Sequence, residues 1–144
     1  MYYKYIFSVS LMPSVTENEI SKLVDTFYGK IREDDLLGPI FETALHGEWG
    51  PHLAKMKAFW SSVMLATGTY KGNPMMTHLR LPRLTGTHLN RWLELWRETT
   101  SAICADRAAA YLFVEKASMI GERFVLASLY YHRYDSEERT LETA

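Results

Sequence analysis

Apolar residues recur along most of the chain at three- and four-residue spacing, the pattern of helices that each bury one stripe. The first run lies behind Thr16-Glu17-Asn18-Glu19, a Ser/Thr-x-x-Glu arrangement whose side chains satisfy exposed amides at a helix start. Its inward positions are Ile20, Leu23, Val24, Phe27, Tyr28 and Ile31, which predicts a helix to about Arg32. A tyrosine inside such a stripe needs a partner for its hydroxyl, commonly a backbone carbonyl. Asp34 to Pro39 should end the helix, with Gly38 serving a left-handed cap and Pro39 blocking the hydrogen-bond ladder. A short turn through Ile40, Phe41, Ala44 and Leu45 follows.

After the break Gly47-Glu48-Trp49-Gly50, Pro51 suits a first helical position, and a helix to about Ala66 puts His52, Met56, Phe59, Trp60, Val63 and Thr67 on one face. Lys55 sits at the edge of that face. The loop from Gly68 to Pro74 leads to a very short helix carrying His78, bordered by Met75, Leu79 and Leu81 and closed by Pro82. Thr85-Gly86-Thr87 offers a cap for a helix from about His88 to Ile103, with Leu89, Trp92, Leu93, Trp96 and Ile103 inward. Asp106 caps the last long helix, whose inner stripe includes Ala110, Phe113, Val114, Ala117, Ile120, Phe124 and Leu129. No alternating strand pattern with hairpin turns occurs, so the expected fold is all-α. The expected limits are an N-terminal extension over 1–15, one domain over 16–134, and a loose polar tail over 135–144.

Composition narrows the function. The length of 144 residues suits one core. With a net charge of −1 and scattered Lys and Arg, no basic stripe points to nucleic acid. The single Cys104 supports neither an intramolecular disulfide nor a cysteine-based zinc site. No run reaches the roughly 18 apolar residues of a membrane span, and no leader-like start is present, so the expected location is cytoplasmic.

The familiar catalytic patterns are missing: no phosphate-binding glycine loop, no His-Glu-x-x-His, no Gly-x-Ser-x-Gly. Nor is there a Glu-x-x-His pair for a di-iron bundle. What remains is His78 facing an aromatic-lined space bordered by Tyr28, His52, Phe59 and Trp92. Neutral imidazole is a good iron ligand, although by spacing alone a single inward histidine is more commonly a core residue bonded within the fold.

Several motifs occur together and in order: Leu37-Gly38-Pro39-Ile40-Phe41, Trp49 with His52, Phe59-Trp60, Tyr70-x-Gly72-x-Pro74, His78-Leu79-x-Leu81-Pro82, and Trp92-Leu93. Over about residues 16–131 the chain resembles the third group of truncated haemoglobins, and the double-glycine signatures of the other groups are absent. The resemblance implies a truncated-globin two-over-two helical sandwich around haem b, with His78 as proximal iron ligand. It makes Tyr28, His52 and Trp92 distal residues. Phe27, Phe41, Met56, Phe59, Trp60, Met75, Leu79 and Leu81 would line or support the pocket, and Lys55 would meet a haem propionate. Met56 departs from the branched aliphatics more usual at its position.

On this reading the ligand is O2 or another diatomic gas, and an unidentified reductase is the expected partner. Two hydrogen-bond donors at the ligand favour ligand handling over simple oxygen delivery. Three alternatives stay open in the sequence. One is a nitric oxide dioxygenase or peroxidase-like enzyme, and another is a bis-histidine electron-transfer or sensor globin in which His52 also coordinates. The third is a helical interaction domain without cofactor.

Overall fold

The structure, a computed structural model, describes residues 13–74 and 83–143, without the side chains of 134–136. Among the described residues there are five helices and no strand: α1 (Glu17–Glu33), α2 (Gly38–Leu45), α3 (Trp49–Leu65), α4 (Gly86–Ile103) and α5 (Arg107–Thr143). Most of the N-terminal extension and the short helix expected around His78 lie outside the described residues.

At the start of α1 the Thr16 hydroxyl accepts the Glu19 N–H at 3.1 Å. Glu17 and Glu19 in the first turn and Lys30 and Arg32 in the last complement the helix dipole. Every inward position read from its spacing is buried.

The link to α2 works differently from the expectation. The helix ends at Asp34 in an extended conformation, φ −75° and ψ 130°. Gly38 is needed for a close approach, because a Cβ there would lie 2.8 Å from the Arg32 carbonyl oxygen. The Asp34 carboxylate organises the turn by accepting the Leu36 and Leu37 N–H groups at 3.2 and 3.0 Å. It also accepts Arg91 Nε of α4 at 2.7 Å.

Helix α3 begins at Trp49, two residues before the expected Pro51. Pro51 still falls within the first turn, where an N–H has no intrahelical partner to lose. The helix stops at Ala66 in the left-handed region, φ 55°. Hydroxyl groups then fold the following loop back: Ser62 Oγ accepts the Tyr70 N–H at 3.0 Å and Ser61 Oγ meets Thr67 Oγ1 at 3.1 Å, while buried Ser61 donates to Glu17 Oε1 of α1 at 2.6 Å.

Asp106 immediately precedes helix α5, and its carboxylate accepts the Ala108 N–H at 2.9 Å and the Ser14 N–H at 2.7 Å. The tail expected to be loose is helical to Thr143. No Gly or Pro occurs after Gly121, and Arg133 and Glu137 pair across one turn at 3.4 Å. Leu129, expected inward, is exposed.

The helices form two pairs, α1 with α3 and α4 with α5, laid over one another through the α1–α4 contact, with α2 against α1. Their shared core is aromatic. Trp96 is fully buried, stacks on Trp60 at 4.7 Å and donates its indole N–H to the Phe113 carbonyl at 3.0 Å. Among the described residues no helix is long and apolar enough to cross a membrane.

Candidate functional site

Beside that core lies a cavity to which every helix contributes. Tyr28 comes from α1, Phe41 from α2, and His52, Met56, Phe59 and Trp60 from α3. His88, Leu89 and Trp92 of α4 and Ile120, Gly121, Phe124 and Val125 of α5 complete the wall, with Pro74 and Leu84 from the connecting segments. The space between them, including its open mouth, is about 830 Å³.

The polar groups are few and fixed by their neighbours. The Tyr28 ring sits edge-on to Phe27 at 4.9 Å and to the His52 ring at 4.7 Å. Burial pushes its phenol well above the ordinary tyrosine range, so it is a neutral O–H donor. Trp92 meets Phe27 edge-on at 5.8 Å and lies parallel to Trp96 at 6.2 Å. Its indole N–H can only donate. His88 accepts the Thr85 N–H on Nδ1 at 3.0 Å, which leaves the proton of the neutral ring on Nε2. His52 is also surrounded by rings, with Phe41 at 6.2 Å and Trp49 at 6.4 Å.

His52, Met56 and Pro74 border a second, more polar groove as well, which carries Lys55, Lys71, His46 and Glu48. An apolar chamber thus adjoins a groove with cationic side chains. A flat apolar body bearing carboxylates has the complementary shape and charge.

Of the residues singled out in the sequence, Tyr28, Phe41, His52, Met56, Phe59, Trp60 and Trp92 line the one cavity. Phe27 stands behind it, fully buried, and Lys55 is exposed in the groove. Met75, His78, Leu79 and Leu81 lie outside the described residues; Pro74 and Leu84, near either end of that stretch, both line the cavity. The α5 wall and His88 were missed. Ile120 and Phe124 did carry the inward-facing spacing, but periodicity does not distinguish a wall facing a cavity from one facing a neighbouring helix.

No protein-family model matches the chain. A group 3 truncated haemoglobin of Campylobacter jejuni is 34% identical over 114 residues, the match covering 77% of this chain and 89% of that relative. The crystal structure of a group III truncated haemoglobin from Campylobacter jejuni matches with a TM-score of 0.73 and 33% identity, over 78% of this chain and 90% of that one.

Proposed function

The chain belongs to the group 3 truncated haemoglobins, and from this premise we propose that it is a haem globin that retains a diatomic gas under the Tyr28 and Trp92 donors. The observation that carries the reading is the convergence of Tyr28, His52 and Trp92, from three helices, in one otherwise largely apolar cavity. The residues fit a haem: aromatic and aliphatic walls suit the faces of a macrocycle, and Lys55 and Lys71 in the adjoining groove suit its carboxylates. With Cys104 as the only cysteine, the paired thiols of a covalent c-type attachment are lacking, which favours haem b.

When bound, haem would supply an iron that takes up a small ligand reversibly. His78 is the proposed proximal ligand, which would hold the iron as neutral imidazole. On the distal side Tyr28 keeps its proton because burial disfavours the phenolate, and Trp92 donates from its indole. Each hydrogen bond to a partly negative ligand is worth about 1–2 kcal/mol, so the two together slow its escape roughly a hundredfold. Such retention exceeds what delivery requires and supports ligand handling, with an external reductase as partner.

Absorption spectra of ferric and ferrous protein after haem reconstitution test the reading. Wild type should give a Soret band that His78→Ala weakens or abolishes. An unchanged proximal-histidine spectrum in that variant would overturn the ligand assignment. A wild-type chain that takes up no haem would instead support the cofactor-free interaction domain.

A further inference from the structure

His52 stands between the apolar cavity and the polar groove and borders both. Trp49, one helical turn earlier on α3, contacts the His52 ring edge-on at 6.4 Å and is itself only 4% exposed. Three groups from outside α3 hold this indole. Its Nε1 donates to Glu42 Oε2 of α2 at 2.6 Å. The Arg32 guanidinium of α1 lies over the ring at 4.8 Å, where a cation is attracted to the π face. Phe41 stacks on it at 6.3 Å with an interplanar angle of 24°.

We infer that Trp49 and Glu42 form a latch that holds the His52 ring between cavity and groove and thereby sets how readily small ligands pass. To turn toward the groove the imidazole must leave its contacts with Tyr28, Phe41 and Trp49. The first two rings belong to the cavity wall, whereas the Trp49 indole N–H is fixed by its hydrogen bond to the exposed Glu42 carboxylate, with Arg32 and Phe41 against the ring. Glu42 therefore acts on His52 through the indole and is a positioning residue that touches no ligand. Arg32 strengthens the arrangement through the ring and through a 3.9 Å approach to Glu42 Oε1. The control of ligand passage rests on the haem-globin reading; the placement of His52 does not.

Two measurements test the latch. The first is the rate of diethyl pyrocarbonate modification at His52, followed by peptide mass spectrometry in haem-free and haem-loaded protein, with exposed His46 as internal control. Glu42→Ala and Trp49→Phe should raise the His52 rate severalfold and leave His46 unchanged. Glu42→Gln, which keeps an oxygen acceptor for the indole, should restore the wild-type rate. Because Glu42 is exposed, its variants leave the core intact, and circular dichroism should show unaltered helicity. Equal His52 rates in wild type, Glu42→Ala and Trp49→Phe would overturn the latch.

The second is carbon monoxide association to the ferrous protein. Glu42→Ala should accelerate it, and the acceleration should vanish in a His52→Ala background. Faster modification with an unchanged association rate would overturn the control of passage. Failure to load haem would overturn the functional reading, while the modification rates on the haem-free chain still decide the latch.

Discussion

A phenol and an indole reach the same cavity from α1 and α4, and each presents a proton donor. Tyr28 has no accessible phenolate near neutral pH because burial raises its ionisation well above the usual range, and the Trp92 N–H has no lone pair to offer. Removing either donor should therefore speed ligand loss without blocking entry. Tyr28→Phe and Trp92→Phe are each expected to raise the O2 dissociation rate about tenfold, in line with about 1–2 kcal/mol per bond. Stopped-flow displacement of O2 by carbon monoxide measures this. Unaltered dissociation rates in both variants would eliminate the hydrogen-bonding account. Tyr28 was legible in the sequence as an inward position of α1. His52 was read as bordering the same space, but their edge-on contact at 4.7 Å was not, since it joins residues 24 positions apart, beyond the reach of helical spacing.

At the scale of elements, the two donors keep their relative positions only if α1 and α4 do. Asp34 ties these helices together at the end of α1, next to the turn that sets α2, and its side chain is 5% exposed. Burial alone would raise its ionisation. The Leu37 N–H, the hydrogen bond and charge of Arg91, and the Leu36 N–H outweigh burial and hold the carboxyl below the usual carboxylate range.

The sign of the linkage follows from that direction. With the folded value depressed, the carboxylate contributes stability that is present above the unfolded value, about 3.9, and is lost as pH falls through the folded value. Asp34→Asn should lower Tm at neutral pH, and the gap from wild type should narrow as the solution is acidified below about pH 4. Thermal melts by circular dichroism between these conditions check the expectation. A gap that stays constant would show that charge is not what Asp34 contributes. The turn itself illustrates a limit of local reading. Gly and Pro at 38 and 39 announced a break, but the close approach of Gly38 to the Arg32 carbonyl depends on how two helices meet.

For the whole molecule, the inward stripe of α1 was readable residue by residue because a core-facing helix repeats its burial every three or four positions. The cavity is different, since its walls come from residues as far apart as Tyr28 and Val125 and their common space exists only after the helix pairs are laid together. The resemblance supplied Tyr28, Phe41, His52, Met56, Phe59, Trp60 and Trp92 of the site, and neither it nor the spacing supplied Gly121 on α5. A Cβ at Gly121 would collide with Leu89 Cδ1. Both residues line the cavity, so added volume at 121 displaces a side chain that shapes the same space.

Gly121→Ala should therefore cost cavity volume before it costs fold. Leu89 is flexible at its tip and can yield, whereas a rigid flat cofactor cannot. The expected outcome is near-wild-type helicity with haem affinity weakened about tenfold, equivalent to about 1.4 kcal/mol, read from titration of the Soret band. Leu89→Ala in the Gly121→Ala background should recover most of that loss, because residues sharing one contact couple rather than add. If the double variant binds haem no better than Gly121→Ala alone, the steric relation between α4 and α5 is not what limits the cavity. Equal affinity in Gly121→Ala and wild type would mean that the cofactor does not use this wall.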